Sequence, residues 1–252
     1  SAPTLSGNTL QGTNYGIRLE EGAAPLVGGN TFIGNTNYAV YADALSIGAP
    51  IRGSVMSDNG VNGILVSTGA FSGNATWAAG EVYVLNGQLD IGQGATLTLQ
   101  PGVVVTGSGT GAVLRIKGTL LADGTEALPV VFTSAKDDSV GGDTNGDGNA
   151  SVAAPGDWGG IYLDTTATAS VLDHAVVRYG GSNWSTSTAI YDIAGVVILS
   201  DQVSVTASVI SDSEYYGIRV LGSAPTLSGT TLQGNNTGQI GRESWRERGC
   251  VR

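Results

Sequence analysis

Cysteine, histidine and methionine occur once each in the 252 residues, and only 13% of positions are charged and 6% aromatic. A single cysteine, Cys250, excludes an intrachain disulfide, so stability must come from packing, hydrogen bonds or bound ions. No apolar run approaches the ~18 to 20 residues of a membrane-spanning helix, and Ser1-Ala2-Pro3-Thr4 does not open a signal peptide. Basic residues are scarce: 11 Lys and Arg stand against 21 Asp and Glu, a net charge of −10. That balance disfavours nucleic acid and anionic membranes, whose phosphates need clustered cations, and makes cations the expected small partners. Also missing is any apolar stretch of ten or more residues with a 3.6-residue period, which removes amphipathic helices.

Glycine, by contrast, is abundant. Forty glycines are about 16% of the chain, without the three-residue period of collagen, so many tight turns are needed. A 41% hydrophobic fraction argues against disorder.

The sequence repeats at two scales. Ser1 to Gly12 returns as Ser223 to Gly234 with one change, Asn8 to Thr230, at an offset of 222. Within that unit Ala2-Pro3 recurs as Ala24-Pro25 and Ala49-Pro50. The phrase Tyr15-Gly16-Ile17-Arg18-Leu19 recurs in Tyr38-Ala39-Val40-Tyr41, Asn62-Gly63-Ile64-Leu65-Val66 and Tyr216-Gly217-Ile218-Arg219-Val220. The short period is 22 to 25 residues. Each unit alternates apolar residues over three to five positions, as in Ile17/Leu19, Leu97/Leu99, Leu114/Ile116, Val130/Phe132 and Ile161/Leu163, which is the period of a strand.

Short strands parted by Gly and Asn at this period form one coil of a solenoid, which buries its apolar face only by stacking. The expected fold is all-β, a right-handed parallel β-helix of about 22 to 25 residues per coil, with Ile17, Ile64 and Ile218 filling the bore. Asn8, Asn30 and Asn59 follow strands at similar places. Either asparagine serves there as a residue that tolerates left-handed turns, or its amides hydrogen-bond from coil to coil.

The Pro-x-Leu-x-Gly-Asn and Tyr-Gly-Ile phrases carry a resemblance, together with a middle block. That block runs from Leu89-Asp90-Ile91-Gly92 through Thr96-Leu97-Thr98-Leu99-Gln100-Pro101-Gly102 and Gly118-Thr119-Leu120-Leu121-Ala122-Asp123-Gly124-Thr125 to Gly156-Asp157-Trp158-Gly159-Gly160-Ile161. The chain resembles the right-handed parallel β-helix repeat family, the pectate-lyase-like superfamily, in its tandem-module bacterial surface or secreted type. The resemblance implies closing coils of one module over 1–78, opening coils of the next over 79–240 with an acidic insertion at 134–157, and flanking modules in a longer parent chain. It also implies a secreted or cell-surface setting. Residues 241–252, with four of the basic residues and the cysteine, break the pattern and read as a foreign or frayed tail.

Chemistry concentrates in the insertion. Asp143, Asn145 and Asp147, followed by Gly148, match the opening half of a calcium loop, in which hard oxygens at alternate positions converge on one cation. The twelfth position, where a bidentate Glu is expected, is Ala154; Asp137, Asp138 or Asp157 would have to supply the missing carboxylate. Calcium is thus the candidate cofactor, against the alternative of a solvated acidic loop.

No catalytic residue is assigned. Arg115 and Lys117, flanking Ile116, echo the Arg-Ile-Lys of polygalacturonases, but that family's Asn-Thr-Asp and Gly-His-Gly are absent. Arg18 and Arg219 read as a repeated surface position, and His174, beside Asp173, as an exposed coil position. Trp77, Trp158 and Trp184 either stack on sugar rings or pack the turns. The favoured function is a non-catalytic extracellular module, a rigid spacer or adhesive scaffold touching polysaccharide or cell-surface glycan. The alternative is a lyase or hydrolase of acidic polysaccharide, which needs carboxylates gathered with each other or with Arg or Lys in one groove.

Overall fold

The computed structural model describes residues 2–183 and 193–243, and every regular element among them is a strand. The first coil holds β1 (Thr4–Ser6), β2 (Thr9–Gln11) and β3 (Tyr15–Leu19), and the second β4 (Leu26–Gly28), β5 (Thr31–Ile33) and β6 (Tyr38–Ala42). Next come β7 (Ile51–Arg52), β8 (Val55–Ser57), the long β9 (Ile64–Phe71), β10 (Asn74–Trp77) and the longer β11 (Val82–Ile91). The middle coils use β12 (Thr96–Leu99), β13 (Val104–Gly107), β14 (Val113–Ile116), β15 (Thr119–Asp123), β16 (Val130–Ser134), β17 (Gly160–Leu163), β18 (Ser170–Asp173) and β19 (Ala175–Arg178). The chain ends its described part with β20 (Ala194–Ile198), β21 (Val203–Thr206), β22 (Val209–Ser211), β23 (Tyr216–Leu221), β24 (Thr226–Ser228), β25 (Thr231–Gln233) and β26 (Gly238–Glu243). Residues 244–252 of the tail lie outside the described residues, as does Trp184.

Neighbouring strands come from successive coils and pair in parallel, giving a parallel β-solenoid of about 10 turns with about 23 residues per turn. No described helix is long and apolar enough to cross a membrane. Alternation places one side chain of each strand pair in the bore. One ladder runs Ile17, Val40, Ile64, Tyr83, Val105, Phe132, Val177, Ile210, Leu232. A second runs Leu89, Leu114, Ile161, Val196, Ile218, Ile240, and a third Trp77, Leu99, Ala122, Leu172, Val205, Leu227. Ile64 and Ile218 are buried, and Ile17, in the first coil, is partly covered against the same core. Burying each such side chain contributes roughly 1.5 to 3 kcal/mol.

The alternation did not reveal where the faces change partners. β9 and β11 each run through a corner and serve two faces, with a register shift between Asn86 and Leu89. The first half of β11 pairs with β13 and the second half with β14. The small sheets β1-β4-β7 and β2-β5-β8 stop below this corner, and the sheet from β10 to β24 begins there. Trp77 and Tyr83 pack the corner face to face, 3.9 Å between ring centroids and 4° between planes. Trp77 Nε1 donates to the Ile47 carbonyl at 3.2 Å, so the indole is satisfied although buried.

The turns correct the first reading of asparagine. The left-handed residue is not the asparagine but the one before it: Gly7 before Asn8, Gly29 before Asn30, Gly34 before Asn35 and Asp58 before Asn59, with φ between 56° and 67°. The asparagines that follow are free to turn their amides inward. Asn8 Nδ2 donates to Asn30 Oδ1 at 3.0 Å, and Asn35 Nδ2 to Asn59 Oδ1 at 2.8 Å. The amides therefore form two short ladders, and Asn59 belongs to that of Asn35, not to that of Asn8 and Asn30.

Candidate functional site

The acidic insertion leaves β16 and returns at β17, and both of its ends are tied down. Asp137, 6% exposed, accepts from Thr133 Oγ1 at 2.5 Å and pairs with Arg178 of β19 at 2.6 Å. Asp157 accepts from Ser134 Oγ at 2.8 Å, from Lys136 Nζ at 2.7 Å and from the Ala154 N–H at 2.9 Å. Thr144 is buried and donates to the Ala135 carbonyl at 3.1 Å. Between these moorings the loop lies back along the helix axis over earlier coils. Asn62, just before β9, donates to the Asp143 carbonyl at 3.0 Å. At Gly146 the fit is close: a Cβ there would stand 2.8 Å from the Gly60 carbonyl oxygen. The loop and the turns at Asn35–Thr36 and Asp58–Asn62 line an open polar pocket of about 300 Å³.

Inside the loop Asp138, Asp143 and Asp147 bring carboxylate oxygens within 4.8 Å of one another. Asp143 caps the turn it precedes, accepting from the N–H groups of Asp147 at 3.1 Å and Gly148 at 2.9 Å. Ser151 donates to Asp147 at 2.5 Å, and this hydroxyl, with the Asn145 amide and nearby N–H groups, holds the Asp147 carboxyl below the usual range. Asp138 goes the other way. Desolvation first, then the charges of Asp143, Asp147 and Asp137, push its carboxyl up, and its shielded Oδ1 has no hydrogen-bond partner. Of the six residues singled out by sequence, Asp138, Asp143 and Asp147 converge. Asn145 turns its amide nitrogen to Asp147, at 2.9 Å, and to Ser151. Asp137 and Asp157 are engaged by Arg178 and Lys136 instead. Arg178, Thr133 and Asn62 were not identified by sequence; Arg178 and Asn62 reach the loop from 39 and 81 residues away in the chain, where no local spacing signals them, and Thr133 stands four residues before Asp137.

A second charged group lies on the outer face of β11, β14 and β17. Arg115 donates through Nε and Nη2 to Asp164 Oδ2, at 3.0 and 2.5 Å, and stands 5.4 Å from the Tyr162 ring. Lys117 Nζ meets Asp90 at 2.5 Å, and Gln88 donates to the same carboxylate at 2.5 Å. Burial works against the Asp164 carboxylate, yet the Arg115 hydrogen bond and charge hold its pKa below the ordinary value. Both cations flank inward Ile116, as expected, and each closes on a carboxylate of an adjoining coil.

The remaining candidates resolve into structural roles. Trp77 and Trp158 are fully buried, so neither can stack on a sugar; Trp158 Nε1 donates to the Arg178 carbonyl at 2.9 Å. His174 takes a left-handed turn at φ 45° and pairs with Asp173 at 2.9 Å, with the Thr206 hydroxyl on the other carboxylate oxygen. Arg18 is exposed and lies over Tyr15 and Tyr41, but Arg219 is 4% exposed against Tyr216, which corrects the reading of the two arginines as one repeated surface position.

Residues 69–191 match the family model described as a pectate-lyase-like beta helix domain, the segment from the end of β9 across the acidic loop. No curated protein and no solved structure matches the chain. That match and the parallel coils together support a right-handed parallel β-helix of the pectate-lyase-like kind.

Proposed function

We propose that this chain is a non-catalytic β-helical module, a rigid scaffold of the secreted or cell-surface kind. One observation supports this most: outer-face cations are tied to carboxylates across coils. Arg115 holds Asp164, Lys117 holds Asp90 and Arg178 holds Asp137, each pair linking strands that lie side by side or a loop to its sheet. A lyase acting on uronates needs a basic group free to take the proton beside the substrate carboxylate, and a paired cation is poorly placed for that. As links between coils, the same pairs stiffen a rod.

The proposal includes calcium among Asp138, Asp143 and Asp147. Three hard carboxylates are a suitable start for a calcium shell, which water and carbonyl oxygens would complete. Desolvation raises the Asp138 pKa most, and the repulsion from Asp143 and Asp147 that adds to it is what a divalent cation would relieve.

A second reading, hydrolysis or lyase cleavage of acidic polysaccharide, draws on the gathering of Asp90, Arg115, Lys117 and Asp164 on one face. Incubation with polygalacturonate and with neutral polysaccharides separates the two. The scaffold reading expects no new reducing or unsaturated ends with calcium present. Release of such ends, abolished by Lys117→Met in a chain that still folds, would overturn it.

A further inference from the structure

The repeat at an offset of 222 residues does not return to its own face. β24 repeats β1 and β25 repeats β2, since Ser1–Gly12 and Ser223–Gly234 share all but one residue. Yet Leu232 of β25, the copy of Leu10 in β2, stands in the unbroken ladder that begins at Ile17 of β3. Because β9 and β11 each occupy two faces, β24 lies twenty-five strand positions after β1, and at three positions per coil that is eight coils and a third.

The turns show how one such unit meets another. In a left-handed turn the N–H of the following residue falls outside the strand ladder, and a side chain of the next coil accepts it. The N–H of Asn8 meets Asn30 Oδ1 at 3.0 Å, that of Thr13 meets Asn35 Oδ1 at 3.3 Å, and that of Ser213 meets Asn235 Oδ1 at 3.0 Å. The accepting side chains also donate back to a carbonyl of the earlier coil, Asn30 to Leu5, Asn35 to Leu10 and Asn235 to Ile210, and Thr230 donates likewise to Val205, at 2.8 to 3.2 Å. Each coil is thus capped by the one after it, so the two edges of the stack differ and complement each other head to tail. Thr230 and Asn235 occupy the places of Asn8 and Thr13, and no described coil lies beyond them to cap their N–H groups.

We infer that the edge formed by β24, β25 and β26 receives a second copy of this unit, entering at the coil that starts at Gly22. The copy's β4 would lie on β24 and its β5 on β25, as β4 and β5 lie on β1 and β2. Consecutive units are then related by a screw of eight coils and a third. At ~4.8 Å per coil each outer feature, the acidic loop included, recurs about 40 Å along the axis and a third of a turn around it. Three units present it on all three faces. This arrangement goes beyond the scaffold reading and holds whether or not the module is catalytic.

The test is a two-unit chain in which residues 22–243 follow Glu243 directly, beside the single chain. Hydrogen exchange at the first unit's Thr230 and Asn235 amides should slow at least tenfold relative to the single chain. Spin labels on Leu128→Cys in both units should lie farther apart than the axial step alone, about 40 Å. Exchange as fast as in the single chain would overturn the interface, and so would units that fold apart. Slow exchange with a purely axial label distance would overturn the screw. In the single chain, Asn30→Ala with Asn35→Ala should speed exchange at Asn8 and Thr13 at least tenfold; unchanged rates would remove the capping on which the interface depends.

Discussion

Asn35 and Asn59 are buried one coil apart, and the Asn35 amide nitrogen donates to Asn59 Oδ1 at 2.8 Å while the Asn35 N–H meets the same oxygen at 3.0 Å. Asn59 in turn donates to the carbonyls of Phe32 and Ser57, both at 3.0 Å. One side chain therefore satisfies polar groups of two coils inside the bore. Asn59→Ala would strand the Asn35 N–H and the Phe32 carbonyl, and leaving such groups unpaired costs about 1 to 3 kcal/mol. Urea denaturation should show a loss of at least this size. A loss under ~0.5 kcal/mol would mean that water replaces the ladder.

The calcium proposed above would act on the same molecule from outside the bore. If it binds Asp138, Asp143 and Asp147, calorimetric titration should show a saturable site and the melting temperature should rise with calcium concentration, because a ligand that binds only the folded chain stabilises it. Asp147→Ala should abolish both effects. Asp157→Ala should leave binding intact, since Asp157 is engaged by Ser134 and Lys136. No heat and no melting shift at millimolar calcium would remove the metal from the proposed function.

The fold was legible because its determinants are local and repeated. Alternation at Leu97/Leu99, Leu114/Ile116 and Ile161/Leu163 sends each of these side chains into the core. What stayed hidden depends on the path of the chain. Ile17 and Ile218 share a phrase but stand in different ladders, because β9 and β11 turn a corner that no short motif marks. Asn59 looked equivalent to Asn8 and Asn30, yet its place is set by Asp58, a left-handed residue where other turns use glycine. At the candidate cation site, Asp143 and Asp147 follow from loop spacing. The convergence of Asp138, and the capture of Asp137 by Arg178, require the loop to fold back over its sheet.

Acid should act on this rod in two opposite ways. Glu81 lies 4% exposed at the entry to β11, and burial pushes its carboxyl up although the Ser54 and Gly53 N–H groups draw it partly back. A raised folded pKa means that protonation favours the folded chain: this contribution is full below the ordinary Glu value of ~4.3 and lost as pH rises through the raised value. Asp164 and Asp173, held low by Arg115 and by Thr206 with His174, contribute stability above the ordinary Asp value that is lost as pH falls through their depressed ones. Glu81→Gln removes only the first effect. The variant should be more stable than the parent at pH 7, and its advantage should vanish near pH 4. An advantage that does not change with pH would show that the gain is not electrostatic.

Left-handed turns give the last test, at one place in neighbouring coils. Gly229 turns the chain from β24 to β25 at φ 61°, and a Cβ placed there would meet nothing nearer than the Ala207 nitrogen at 3.6 Å. Ala207 makes the same turn from β21 to β22 at φ 44°, with its methyl exposed. An L-residue in this region costs roughly 1 to 2 kcal/mol, and glycine gives back roughly 0.5 to 1 through the freedom of the unfolded chain. Ala207→Gly should therefore raise stability by about 0.5 to 1 kcal/mol, a gain of roughly 1 to 4 °C in melting temperature for a chain of this size. Gly229→Ala should lower it by a similar amount. Equal signs for the two substitutions would show that packing, not backbone conformation, decides these turns.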